Sequence, residues 1–430
     1  MPQGDRKKNT SKPKASRRAP SKPERKPTAS VNHEPASSAS ELISTIPISL
    51  QQLLLDVFKT ALLTTDVPSE STTQDIYPTP QPDTLDTKSL VQTIKSHLYQ
   101  RDFDSAFTDA GEDLLRAYAL RWSASRALGY AGLFKGVLRW MQDRAEQHPS
   151  PAPPSPNTRI VSIGGGAGAE IVALAAAWRD LDFGVEALAK SVADVSLESG
   201  SDGPERTTTT ASVDADVDVD VNARPDSCPR LAVSAVDIAD WSSVVQRLSR
   251  TLVSAAVPAQ LSSKHRPPLV PAGRAVDVGF RRADVLTVSE DELKGILLDE
   301  TSQAGSSLLV TLMFTLNELF STSMPKTTGF LLRLSDLLPS GAVLLVVDSP
   351  GSYSTLKLGK GKDGTAQERQ YPMKFLLDHT LLSVAAGKWE RVYTQDSRWW
   401  RRDAARLKYE VGEGAGLEDM RFQVHLYRRI

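Results

Sequence analysis

The run from Arg159 to Ala177 constrains the fold more than any other part of the chain. It reads Arg-Ile-Val-Ser-Ile, then Gly-Gly-Gly-Ala-Gly at 164–168, then Ala-Glu-Ile-Val-Ala-Leu-Ala-Ala-Ala. An apolar segment, a glycine turn and an Ala-rich segment in that order predict a strand, a tight loop and a helix. Gly164, Gly165, Gly166 and Gly168 allow a sharp turn and a close backbone approach to a ligand at the end of a strand. The spacing is Gly-x-Gly-x-Gly, not the dinucleotide pattern Gly-x-Gly-x-x-Gly, and Glu170 stands two residues beyond the last glycine. A carboxylate in the first turn suits the helix dipole but disfavours a pyrophosphate. The loop therefore points to S-adenosylmethionine rather than to a nicotinamide dinucleotide, with an ordinary tight turn as the competing reading.

Further β-rich runs follow at 230–237, 275–280, 307–314, 342–347, 389–394 and 421–428, and helical periodicity marks 48–63, 89–141, 241–252 and 323–338. Strands alternating with helices predict an α/β class with a Rossmann-like, mostly parallel sheet, helices on both faces and a late antiparallel hairpin. The helices before the glycine loop form an N-terminal extension that caps the sheet. Asp237 ends the second strand, where a carboxylate accepts hydrogen bonds from ribose hydroxyls or caps the following helix. Asp284, after the third strand, is a candidate for the adenine amine or for a turn. Asn317 and Glu318, after the fourth, are candidates for the transfer pocket or for a helix first turn. Asp348 opens Asp-Ser-Pro-Gly-Ser-Tyr353 after the fifth, a turn suited to a substrate, with Tyr353 placed to stack on a base or simply exposed. Arg398-Trp-Trp-Arg-Arg402 interleaves cations with aromatic rings, which suits single-stranded nucleic acid; the competing reading is that the two tryptophans cover the sheet edge. His97, His379 and His425 lack ligand spacing, and neither a metal site nor a hydrolase order of Ser, His and Asp stands out.

Charge is uneven. Residues 1–40 hold ten Lys or Arg against three Asp or Glu, about +7, so the formal net charge of -1 leaves about -8 for the rest. That tail is nearly free of large apolar residues and is expected to be disordered. Its basic residues from Arg6 to Arg18 read as a nuclear or nucleolar address met by an import receptor, or as a solubilising tail. The helical region spans 41–150 with a linker at 66–86, and the sheet domain spans 151–430. Disordered insertions are expected at 185–230, with its alternating Val and Asp, and at 254–273. The single cysteine, Cys228, excludes a disulfide framework and a thiolate metal site. No run of about 18 apolar residues is present, so a membrane span is not expected.

Several motifs together resemble one family. They are Val161-Ser-Ile-Gly-Gly-Gly-Ala-Gly-Ala-Glu170, Val236-Asp-Ile-Ala-Asp-Trp241, Met420-Arg-Phe-Gln-Val-His-Leu-Tyr-Arg-Arg429, His97-Leu-Tyr-Gln-Arg-Asp-Phe103 and Arg121-Trp-Ser-Ala-Ser-Arg-Ala-Leu128. The chain from about Ser89 onward, without its insertions, is similar to the fungal 25S ribosomal RNA uridine-N3 methyltransferases. The resemblance implies a class I S-adenosylmethionine-dependent methyltransferase acting on N3 of a uridine in large-subunit ribosomal RNA. Its partners would be ribosomal RNA or pre-ribosomal particles, and its compartment the nucleolus, with the cytoplasm as the alternative. Many class I enzymes have an acidic residue two positions before the first glycine; here that position is Ser162, so that cofactor anchoring is either weaker or taken over by Glu170. Two other readings remain: a catalytically silent ribosome-assembly factor of the same fold, and a methyltransferase acting on protein or a small molecule.

Overall fold

The computed structural model describes residues 42–63, 85–147, 157–181, 230–255, 257, 268–271, 275–298, 306–351, 353–360 and 366–430. The basic tail, most of the linker, Cys228 and the bulk of both expected insertions lie outside the described residues.

A seven-stranded sheet organises these segments. Its strands are β1 (Thr158–Ile163), β2 (Arg230–Asp237), β3 (Ala275–Arg282), β4 (Ser307–Met313), β5 (Val343–Asp348), β8 (Trp389–Trp400) and β9 (Met420–Arg429), in the order β3-β2-β1-β4-β5-β9-β8. The first five in that order are parallel, while β9 runs antiparallel to both β5 and β8. A separate hairpin, β6 (Tyr353–Lys360) and β7 (Ala366–Pro372), follows β5. The sequence shows the outer hairpin through the alternation of Phe422, Val424 and Leu426, but gives no sign of β6 and β7.

Both faces of the sheet are covered, which is why its central strands read as unbroken apolar runs. All six residues of β5 are buried. Val343, Leu345 and Val347 face one core with the helix at 169–181 and α6 (Ser242–Leu252), whereas Leu344 and Val346 face another. That second core is closed by α7 (Glu290–Leu297), α8 (Leu316–Thr322), α9 (Met324–Leu337) and α10 (Met373–Asp378). We label the helix at 169–181 α5. The first core also takes in α1 (Ile48–Leu63) and α4 (Ala124–Gln147), so the N-terminal helices share the sheet's interior.

Helical periodicity over 89–141 marks one long block, and the structure breaks it. α2 (Thr87–Gln100) starts on Asp86, whose carboxylate accepts from the Ser89 N–H, and ends where Arg101 turns left-handed at φ 58°. A π-helical turn at Asp104–Thr108 leads to Gly111 and α3 (Glu112–Tyr118), and a second at Ala119–Ser123 joins α3 to α4. Such π-turns shift the side-chain phase of a helix, and this one sets which residues of the 118–128 run meet the sheet. Arg121 and Ser125, four residues apart, share a task. Arg121 donates to the Gly416 carbonyl and pairs with Glu418, and Ser125 Oγ accepts from the Glu418 N–H at 3.0 Å, fixing the segment before β9.

Candidate cofactor and substrate site

β1 has β2 on one side and β4 on the other, so the chain changes direction across the sheet there. In open α/β sheets a crevice opens at such a point, outside the carboxyl ends of the strands. The glycine loop lies in it. Gly164 and Gly168 take φ of +77° and +82°, the left-handed region that a Cβ disfavours. A Cβ on Gly164 would overlap the Thr315 side chain, and one on Gly166 the indole of Trp241. The glycines thus let the loop pack closely on its own protein. The Gly164 N–H donates to the Val236 carbonyl at 2.7 Å and the Gly166 N–H to Asp237 Oδ2 at 3.1 Å.

Asp237 is therefore joined to the loop. Its Oδ1 accepts from the Ala239 N–H at 3.2 Å, and Asp240, just ahead of α6, accepts from the Ser242 N–H at 3.1 Å, while the N-cap residue Trp241 makes no side-chain cap. Burial raises the Asp237 carboxyl above its ordinary value against the pull of the Ala239 and Gly166 N–H donors. Asp284 closes its own turn, accepting from the Leu286 N–H at 3.0 Å and the Thr287 hydroxyl at 3.1 Å. A carboxylate offers about four acceptor positions, so this turn does not exhaust it.

Past β4, the Asn317 N–H donates to Asp348 Oδ2 at 2.9 Å, and the Ser349 N–H donates to Oδ1 at 2.7 Å. Burial pushes the Asp348 carboxyl up to about 6, opposed by these two donors and assisted by the charge of Glu318. Glu318 itself is exposed. The structure thus brings Asn317 and Asp348 together at the crevice and turns Glu318 to solvent. The Asn317 Oδ1 is buried without a hydrogen-bond partner. Behind this turn, Gln423 donates to the Ser349 carbonyl at 2.8 Å and accepts from His425 Nε2 at 3.0 Å, while Thr394 bonds His425 Nδ1 at 2.7 Å. Burial pushes His425 down to about 4, so its neutral ring serves to hold the turn.

Arg126, Tyr130, Phe314 and Tyr118, none of them singled out from the motifs, complete the site together with Glu170. Arg126 of α4 reaches over the Phe314 ring, with Cζ 5.5 Å from its centroid, and donates to the Tyr118 hydroxyl at 2.9 Å. It has no ion-pair partner among the described residues, an unusual state for a guanidinium set among aromatic rings. Tyr130 stacks on Phe314 at 6.3 Å, and its buried hydroxyl lacks a partner. Phe314 adopts φ 58°, with its N–H donating to the Val347 carbonyl at 2.6 Å. Bulky side chains avoid that conformation, and its occurrence clusters at ligand sites. Glu170 is buried in the first turn of α5, and burial pushes its carboxyl up to about 7, with Arg126 pulling the other way and Asp237 adding to the rise. Tyr118 closes the roof against Trp241, with ring centroids 5.7 Å apart. The local signal was present in the quoted Arg121 to Leu128 run, but its face could not be set without the π-turn.

Two further candidates reach the protein surface. Tyr353 is 57% exposed at the start of β6. In the Arg398 to Arg402 run, Trp400 packs inward beside Gly129 of α4, while Trp399 is 50% exposed. Covering the sheet edge therefore accounts for Trp400 and not for Trp399.

This sheet order, with one reversed strand near its edge and a glycine loop and carboxylate at the carboxyl ends of β1 and β2, defines a Rossmann-like class I methyltransferase. A family model described as "Putative SAM-dependent methyltransferase" matches residues 72–428, and the chain belongs to that family. A relative in Saccharomyces cerevisiae, named 25S rRNA (uridine(2843)-N(3))-methyltransferase, is 29% identical over 394 residues, covering 89% of this chain and 86% of its own. Solved structures with more distant likeness include an S-adenosylmethionine-dependent methyltransferase from Methanosarcina mazei, at 9% identity over 64% of this chain and 93% of that one, TM-score 0.30. Another, from Clostridium acetobutylicum, is 8% identical over 78% of this chain and 98% of that one, TM-score 0.29.

Proposed function

We propose that this methyltransferase modifies N3 of a uridine in large-subunit ribosomal RNA. The observation that carries the substrate is the end-to-end likeness to the yeast uridine-N3 enzyme, over 89% of this chain. The site supplies what that chemistry requires, a buried carboxylate at the crevice.

The residues present fit S-adenosylmethionine. Gly164 to Gly168 would form the loop beside it, Asp237 would accept from the ribose hydroxyls, and Asp284, after β3, would accept from the adenine amine. Arg126, a cation without an ion-pair partner beside the loop, would hold the cofactor's carboxylate, its one anionic group. When bound, the cofactor would supply a methyl group carried on a sulfonium, available for transfer to N3 with the neutral thioether left behind. The uracil enters unstacked, since N3 is covered by pairing in a duplex. The N3 proton must leave, and Asp348, with its carboxyl pushed up to about 6, takes it as the carboxylate at neutral pH. Phe314 and Tyr130 exclude water, and the roof of Tyr118 and Trp241 fixes the loop, so catalysis rests mainly on alignment.

Incubating the full chain with S-adenosylmethionine and large-subunit RNA lacking the modification tests this directly. Nucleoside mass spectrometry should show N3-methyluridine at one position; methyl transfer to another nucleotide or only to protein would replace the proposed substrate. The basic residues from Arg6 to Arg18 act in this reading as the nucleolar address, recognised by an import receptor. A fluorescent fusion lacking residues 1–40 should leave the nucleolus, and unchanged localisation would remove that role.

A further inference from the structure

An aromatic and basic surface beside the crevice is used by none of the steps above. β8 is a free edge of the sheet, yet register brings its end near the site: Asp348 pairs with Gln423 of β9, and Arg421, two residues nearer the rim, pairs with Trp399. Two strand spacings and two residue rises set the Trp399 backbone about 10 Å across and about 7 Å along from Asp348. Trp399 faces the side of the sheet opposite Trp400 and carries two guanidiniums, Arg401 at 4.1 Å and Arg421 at 5.8 Å from the ring centroid. Arg401 is neutralised by Asp419 at 2.7 Å, but Arg398 and Arg421 have no ion-pair partner among the described residues.

The surface continues onto α10. The rings of Tyr371, Phe375 and His379 stack in series, at 5.4 Å and 19° and then at 6.0 Å and 3°. Phe375 is 51% exposed. Lys374 pairs with Asp396 of β8 at 3.3 Å, and α10 packs on α8, which carries Asn317. Exposed parallel rings beside unpaired cations complement unstacked bases and phosphates, a pairing that duplex RNA, with its bases hidden, does not offer.

We propose that this rim docks an unpaired stretch of the substrate RNA next to the base being methylated. Trp399 is one stacking platform, the outer ring of the series that Phe375 holds together is the other, and Arg398 and Arg421 contact phosphates. The inference rests on the ribosomal RNA reading above.

Fluorescence anisotropy of a uridine-containing single-stranded oligonucleotide with the full chain, at two or more salt concentrations, tests it. Trp399→Ala and Phe375→Ala should each weaken binding by roughly five- to a hundredfold. Arg398→Gln and Arg421→Gln should each lower the salt slope by about 1. Calorimetric affinity for S-adenosylmethionine should stay at the wild-type value in all four, showing that the fold is intact. RNA affinity within twofold of wild type in the aromatic variants would overturn the surface and assign it to a protein partner, and equal affinity for a matched duplex would overturn the unpaired occupant. Wild-type protein without RNA affinity would sink the ribosomal RNA reading along with it, a result distinct from RNA binding that the substitutions leave unchanged.

Discussion

Replacing Arg126 by Met separates a ligand-binding role from a structural one. The guanidinium makes one hydrogen bond, to Tyr118, lies over Phe314 and has no ion-pair partner among the described residues. A ligand carboxylate about 4 Å away would gain about 4 kcal/mol at an effective dielectric near 20. Desolvation of both groups takes back part of this, leaving about 1.5–3 kcal/mol for a hydrogen bond to a charged group. That corresponds to about a 10- to 150-fold change in Kd. The assay is calorimetric titration of the full chain with S-adenosylmethionine and with its decarboxylated analogue, which keeps the adenosine and sulfonium but lacks the anion. Wild-type protein should prefer S-adenosylmethionine by that ratio, and Arg126→Met should lose the preference because binding of S-adenosylmethionine alone weakens. Methionine retains an apolar stem against Phe314, so the fold is expected to persist. Equal loss for both ligands would refute the reasoning, because Arg126 would then act by holding the roof in place. No wild-type preference would refute it as well.

Two further outcomes follow from the same geometry. Single-turnover methylation should rise with pH through about 6 and then level, as the Asp348 carboxyl, raised by burial, loses its proton. Asp348→Asn should abolish that limb and slow the step by about 100-fold, and an unchanged profile would assign the proton elsewhere. Because the folded value is raised, the stability Asp348 contributes is present below its ordinary 3.8 and lost as pH rises through about 6, so the Asn variant should melt no lower than wild type at pH 8. Gly166→Ala, whose Cβ would overlap Trp241, should lower stability by about 1–3 kcal/mol and weaken cofactor binding. A melting temperature and affinity equal to wild type would show that the loop yields.

The parts of the site legible in the sequence are those that local chain direction determines. A strand followed by glycines and an Ala-rich helix can hardly place Gly164 to Gly168 anywhere but at a strand's carboxyl end, and Asp237 and Asp348 close two other parallel strands of the sheet, β2 and β5, at that same end. Asp348 was further distinguished from Glu318 only by burial, which no spacing reveals. Arg126 lies 38 residues before Gly164, and its approach to Phe314 depends on the π-turn at Ala119–Ser123 and on the left-handed backbone of Phe314, both set by packing.

The Arg398 to Arg402 run shows how two competing readings can concern different residues. Gln395 to Ser397 are polar, so the apolar pattern of β8 stops at Thr394, whereas the strand itself continues through an irregular register to Trp400. Once both tryptophans belong to one strand, the period of two requires them to face opposite sides of the sheet. One must enter the core that α4 closes, and the other must stand outside it. The extension of β8 past its polar stretch therefore assigns edge-covering to Trp400 and leaves Trp399 exposed, which is what the proposed stacking role requires.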